Sequence, residues 1–206
     1  MLPPALNLPQ WLTKNAHLLQ PPVSNHCIHH PSSPLTPGYT VMVVGGPNAR
    51  TDYHVNPTPE FFYQHTGSML LRTVTNHTAT SASEQPIFQD IPIHEGSLYL
   101  LPANTPHCPV RFEGTVGVVV EMPRPEGAAD VLRWYCRGGE DGNEGCGSVV
   151  WEKRFVCTDL GSQVKEVVEE FGGDEGLRMC KGCGKMAGVR WGDGEVRRPA
   201  RFPEES

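Results

Sequence analysis

At 206 residues the chain has room for one domain of ordinary size and a small appendage. Seventeen Lys and Arg against twenty-three Asp and Glu give a formal net charge of −6 with no basic cluster, which argues against nucleic acid or an anionic membrane as a partner. No apolar run approaches the ~18–20 residues of a membrane span. The N-terminal stretch MLPPALNLPQWLTKNAHLL breaks its apolar pattern with prolines and polar residues, unlike a signal peptide, so the chain is expected in the cytosol.

The first element is a short helix over 8–19, where Leu8, Trp11, Leu12, Leu18 and Leu19 recur at mostly helical spacing and Pro9 suits a first turn. The Pro-rich stretch from 21 to 38 is aperiodic and predicts a loop, with His26, His29 and His30 exposed on it. From Tyr39 to Glu121 the pattern turns to strands. YTVMVVGG, EFFYQ, SMLLRTV, PIFQDIPI, SLYLLP and VGVVVE are short, rich in β-branched and aromatic residues, and parted by turn residues, as in an all-β sandwich or barrel. The polar run 75–85 reads as a surface hairpin insertion, and MPRPEGAAD after Val120–Glu121 as a linker. Val164, Val167, Val168 and Phe171 then share one helical face over 161–171, with Thr158 and Asp159 available as caps. The Gly/Arg-rich tail after Val189 is expected to fray.

Seven cysteines stand at 27, 108, 136, 146, 157, 180 and 183. In a reducing compartment thiols serve as packing residues or metal ligands, and four of them crowd into 136–183, which favours a metal.

Two blocks carry candidate chemistry: Gly46-x5-Asp52-x-His54-x5-Glu60-x6-Gly67 and Gly96-x5-Pro102-x-Asn104-x2-His107. Taken singly, each histidine reads as a satisfied barrel residue and Glu60 as a surface charge. Set together inside the two glycine frames, they resemble the paired motifs of cupins, in which strands of a double-stranded β-helix aim two histidines and a carboxylate into the barrel mouth. Asp52 stands where many cupins have a further histidine, and Glu60 lies one or two residues beyond the usual spacing. Two imidazoles and one carboxylate leave open positions on a metal, the ligand set of non-haem iron(II) oxygenases.

The stretches VVGGPNARTDYHVNPTPEFFYQ, LLPANTPHCPVRF and TVGVVVE resemble the 3-hydroxyanthranilate 3,4-dioxygenase family, with similarity from the N-terminal helix to Cys183. The resemblance implies an Fe(II) site of His54, Glu60 and His107, and an O2-dependent, extradiol-type opening of an aromatic acid. It implies that Arg111 pairs with the substrate carboxylate, Glu121 contacts the polar edge of the ring, Arg50 helps to orient substrate and dioxygen, and Asn25 lies in a loop near the pocket. It further implies a homodimer. The residue types agree: an aromatic acid needs a cation, and arginine offers a planar two-point fork. A cross-strand Arg111–Glu121 ion pair is the structural alternative. The other readings of the same motifs are a cupin dioxygenase for another aromatic acid and a non-enzymatic metal-dependent sensor.

Cys180-Lys-Gly-Cys183-Gly has the shape of a rubredoxin knuckle, which aims two thiolates at one metal, zinc or iron. Cys136 and Cys146 supply the other pair across a nine-residue insertion, RGGEDGNEG. Lengthening such a loop costs only ~1 kcal/mol of closure entropy, against on the order of 10 kcal/mol for structural metal binding. Cys157 is the alternative fourth ligand, and Cys27 and Cys108 read as packing thiols. Some members of the family have this second site and others lack it, which implies a structural or assembly role. The expected organisation is therefore an N-terminal helix and cupin barrel over 1–125, a cysteine-bearing extension with a helix over 126–189, and a tail over 190–206.

Overall fold

A computed structural model describes residues 4–19, 25–48, 50–76, 86–137 and 145–190. Asn7 caps α1 (Leu8–Asn15) by accepting a hydrogen bond from the Gln10 N–H, and the helix tightens into a 3-10 turn over Ala16–Leu19. The strands that follow are β1 (Asn25–His29), β2 (Thr40–Gly45), β3 (Tyr53–Val55), β4 (Glu60–Thr66), β5 (Met69–Thr75), β6 (Ile87–Ile93), β7 (Leu98–Leu101), β8 (His107–Arg111), β9 (Val116–Glu121), β10 (Asp130–Tyr135) and β11 (Val149–Phe155). Helices α2 (Leu160–Gly173) and α3 (Glu175–Arg178) close the described chain. None of these helices is long and apolar enough to cross a membrane.

The strands form two antiparallel sheets, one ordered β1-β2-β9-β4-β7 and the other β11-β10-β3-β8-β5-β6. Every second residue of β4 and β9 is buried, so one face of the first sheet meets the second across a core of Phe62, Met69, Leu71, Ile93, Leu101 and Val119. This double-stranded barrel is the cupin architecture that the two motifs imply.

Five strands were not legible in the sequence. β1 lies inside the stretch expected to be a loop; NHCIH is too polar to announce itself, and pairing with β2 makes it a strand. β3 and β8 are short and built from polar or proline-containing segments, YHV and HCPVR. β10 and β11 come from the 126–189 extension, and β10 pairs with β3, so they extend the six-stranded sheet. The linker ends where Asp130 opens β10.

Against β10 and β11 packs α2, which buries Val164, Val167 and Phe171. Phe171 stacks on Trp134 with ring centroids 4.1 Å apart, and Trp151 lies 5.8 Å away on its neighbour. The insertions at 77–85 and 138–144 and the tail beyond 190 lie outside the described residues.

Candidate metal centre and aromatic-acid pocket

Strand pairing explains how residues distant in sequence converge. His54 and His107 sit opposite each other where β3 pairs with β8. Facing them, Leu101, Glu60, Glu121 and Thr40 form one inward row across β7, β4, β9 and β2. A ring nitrogen of each histidine reaches the same carboxylate: His54 Nδ1 lies 3.4 Å from Glu60 Oε1, and His107 Nε2 lies 3.3 Å from Oε2. The far nitrogens are tied down, His107 Nδ1 to the Thr105 carbonyl at 3.0 Å and His54 Nε2 to Asp130 Oδ2 at 2.7 Å. These outer partners turn the near nitrogen of each ring toward Glu60, whose Oε1 accepts a hydrogen bond from Asn56 Nδ2.

All three side chains are buried, so the donors cannot be satisfied by water. Burial alone would lower the His54 pKa, but Asp130 and Glu60 hold a proton on the ring up to about 10. Burial opposes ionisation of Glu60 too, and attraction to the His107 and His54 rings overcomes it, keeping the carboxylate below its usual range. Burial, and then repulsion from Glu60, push Glu121 upward. Two imidazole nitrogens and a carboxylate within 4.8 Å of one another, each oriented by an outer partner, fit a divalent metal with open positions.

Arg111 ends β8 on the same inward face as His107 and is 1 % exposed. Its Nη1 donates to Gln64 Oε1 at 3.0 Å, its Nε has no hydrogen-bond partner, and burial pulls its pKa down to about 10. The alternative Arg111–Glu121 ion pair does not form. Glu121 instead accepts from Arg124 Nη2 at 2.8 Å, and among the described residues no carboxylate pairs with Arg111. The sequence reading missed Gln64, and it missed Arg124 and Asp130 altogether. Arg124 binds Asp130 through Nε at 2.7 Å and Nη2 at 2.6 Å.

The remaining expected site residues lie further out. The Arg50 side chain is 39 % exposed, with Nε 3.4 Å from the buried Asp52 carboxylate. Asn25 opens β1 and lines a cavity of about 260 Å³ together with Thr40, Arg124, Cys27 and Cys157. Cys157 is therefore not the fourth thiol of the cysteine cluster. Cys108 is buried, and its thiol donates to the Arg50 carbonyl.

Cys136, Cys146, Cys180 and Cys183 converge at the far end of β10, with Sγ–Sγ separations of 3.5 Å for both Cys136–Cys183 and Cys146–Cys180. Four thiolates ~2.3 Å from a tetrahedral metal stand ~3.8 Å apart, so the cluster is sized for zinc or iron. A Cβ on Gly182 would lie 3.4 Å from Cys146 Sγ and 3.2 Å from Ser148 Oγ, so glycine lets the knuckle backbone close on the sulfurs. Hydrogen bonds from Ser148 pull the Cys146 thiol down to about 6, while burial pushes Cys136 up to about 12.

A double-stranded barrel holding a buried two-histidine, one-glutamate cluster, with a buried arginine that shares a strand with His107 and has no carboxylate partner among the described residues, defines a cupin of the metal-dependent oxygenase type. The family model of the 3-hydroxyanthranilic acid dioxygenases matches residues 1–172, and the chain belongs to that family. It is 69 % identical over 204 residues to 3-hydroxyanthranilate 3,4-dioxygenase 1 of Aspergillus oryzae, and 68 % identical over 204 residues to 3-hydroxyanthranilate 3,4-dioxygenase of Coccidioides immitis; both alignments cover 99 % of this chain and 100 % of the relative. Among solved structures, a cupin-2 domain containing protein from Shewanella frigidimarina superposes with a TM-score of 0.40 at 18 % identity, covering 58 % of this chain and 95 % of that one.

Proposed function

We infer that the chain is an Fe(II)-dependent dioxygenase that opens the ring of 3-hydroxyanthranilate with O2, yielding 2-amino-3-carboxymuconate 6-semialdehyde, the precursor of quinolinate in NAD biosynthesis from tryptophan. The observation that carries the reading is Arg111, a guanidinium 1 % exposed and without a carboxylate partner among the described residues, on the same strand as His107 of a buried His₂Glu cluster. A buried cation without a counter-ion is costly, and an aromatic carboxylate entering the barrel would complete it.

His54, Glu60 and His107 would hold the iron. When bound there, iron(II) would supply the electron chemistry that lets dioxygen react with an o-aminophenol. Arg111 fixes the substrate by its carboxylate, and Glu121 meets the amino and hydroxyl edge. Because burial and Glu60 raise its pKa, Glu121 is suited to take a proton from that edge as the ring is oxidised. Phe62, whose ring lies 6.1 Å from that of His107, and the neighbouring Leu101 and Val119 would present apolar surface to the reacting ring and exclude water from it. Both oxygen atoms enter the product as the bond between the hydroxyl-bearing carbon and its neighbour at position 4 breaks. Arg50 would help to orient substrate and dioxygen, and Asn25 lines the cavity bordered by Thr40 and Arg124.

The cysteine cluster would hold a second, structural zinc or iron. All seven cysteines are free thiols, in keeping with a reducing, cytosolic setting. The chain is proposed to pair as a homodimer, a reading supported by the family and by the exposed Leu98 and Leu100 on the edge strand β7. The test is anaerobic reconstitution with Fe(II), followed by an ultraviolet assay with 3-hydroxyanthranilate and O2. Turnover of a different aromatic acid in its place would move the reading to another ring-cleaving cupin, and metal-dependent ligand binding without turnover would favour a sensor.

A further inference from the structure

The two residues that bind each other most tightly around the barrel site, Arg124 and Asp130, have so far been given no part in it. Asp130 is fully buried at the start of β10, one strand over from β3. Its Oδ2 accepts from His54 Nε2 at 2.7 Å, and the other nitrogen of that ring faces Glu60. A carboxylate behind a histidine fixes the ring's tautomer and orientation and makes it a stronger ligand. Asp130 is itself gripped by Arg124 at both oxygens, by Nε at 2.7 Å and by Nη2 at 2.6 Å, the two-point geometry that guanidinium and carboxylate share. The same Nη2 lies 2.8 Å from Glu121 Oε2.

One guanidinium therefore ties together the acid behind a metal ligand and the acid that faces the substrate. We propose that Arg124 and Asp130 are positioning residues of the barrel site: Asp130 orients His54 for metal binding, and Arg124 sets Asp130 and Glu121 relative to each other. Charge gives the same answer as geometry. Arg124 stands between the Glu121 and Asp130 carboxylates, and its loss would leave two buried acids facing each other without the cation that bridges them, which low dielectric makes expensive. Lysine could supply the charge but not the fork that reaches both carboxylates at once.

The proposal rests on the His₂Glu metal site inferred above, and its test separates the two. Asp130→Asn, Arg124→Gln and Arg124→Lys proteins would be titrated anaerobically with Fe(II), and in parallel with Co(II), against a competing chelator; KM and kcat for 3-hydroxyanthranilate would be measured per bound iron. Asp130→Asn is expected to weaken both metals ~10–100-fold. Arg124→Gln should weaken the metal and also raise KM ~10-fold, the order expected for a disturbed charged hydrogen bond, while Arg124→Lys recovers only part of either loss. A purely structural role would lower the melting temperature while leaving metal affinity and KM of the folded protein unchanged. Metal dissociation constants and KM within twofold of wild type in the folded variants overturn the proposal, and if Asp130→Asn does not fold, the two Arg124 variants decide it. Wild-type protein that binds no metal at His54, Glu60 and His107 overturns the functional reading. Wild-type protein that binds Co(II) but does not turn over 3-hydroxyanthranilate leaves the Co(II) comparison as the deciding measurement of the positioning role.

Discussion

Replacing Gly117 by alanine would move Arg111, the arginine proposed to hold the substrate carboxylate, without removing it. Gly117 lies opposite Gln64 where β9 pairs with β4. A Cβ there would stand 2.6 Å from Arg111 Nη1, 2.9 Å from Gln64 Oε1 and 3.1 Å from the Tyr63 carbonyl oxygen. Nonbonded heavy atoms settle at ~3.5–4 Å, so the guanidinium must retreat by about 1 Å and give up its bond to Gln64. A misplacement of ~1 Å in a positioning group is worth up to ~100-fold in rate, equivalent to ~2.7 kcal/mol. Overpacking at the Tyr63 carbonyl adds an instability of ~1–3 kcal/mol, and at ~2–4 °C per kcal/mol for a chain of this size the melting temperature should fall by roughly 2–12 °C. Fe(II) loading should be unchanged, because the added methyl touches none of His54, Glu60 or His107. The assay is kcat/KM for 3-hydroxyanthranilate per bound iron at a temperature well below the melting point of the variant. Folded, fully loaded Gly117→Ala protein with wild-type kcat/KM would refute the placement of Arg111 against the substrate.

Four other outcomes follow from the same geometry. Alanine at His54, Glu60 or His107 should abolish turnover and barrel metal while circular dichroism still reports a folded protein; an active, stoichiometrically loaded variant at any of the three would remove it from the ligand set. Arg111→Ala should lower kcat/KM by ~30-fold or more, as expected when one partner of a buried charged pair is truncated, and Arg111→Lys should recover little of it, with iron content unchanged in both. Serine at Cys180 and Cys183 together should remove one metal equivalent by elemental analysis and lower the melting temperature, leaving barrel iron and its specific activity largely intact. Phe171→Ala empties the stack on Trp134 and should destabilise by ~3–5 kcal/mol, read by denaturant or thermal melts; a shift below ~1 kcal/mol would mean that α2 contributes little to holding β10 and β11.

The sequence disclosed the strands whose side chains alternate or run apolar, because burial on one face leaves that mark: VGVVVE and EFFYQ became β9 and β4. It concealed β3 and β8 because their inward positions carry His54, His107 and Arg111, and a histidine or arginine facing a core reads as a polar interruption. The glycine frames around His54, Glu60 and His107 compensated for that, since they fix spacing even where hydrophobicity fails. Nothing comparable announces Asp130 or Arg124. Asp130 is 76 residues from His54, and Arg124 sits in a Pro- and Gly-rich run that reads as a linker, so only the pairing of β10 with β3 reveals that they meet. Gly117 was hidden for a related reason, as its role is an absence of side chain opposite a long one.

Strand β10 has Asp130 at its first residue and Trp134 on the same face, and the chain reaches Cys136 one residue past its end. At ~3.3 Å per residue that is a rod of about 20 Å, with the partner of His54 at one tip and the four-cysteine cluster at the other. Side chains alternate along it, so inserting or deleting a single residue between 131 and 135 would turn one tip away from its cluster whichever end kept its pairing. Past Cys136 that constraint ends, because the Cys136 N–H to Ser148 carbonyl bond and the Gly147 N–H to Cys136 carbonyl bond fix the two ends of the nine-residue insertion in place without reference to its length. Length variation in this part of the molecule is therefore expected to collect beyond Cys136 and to avoid the five residues before it, although both stretches lie outside the barrel motifs.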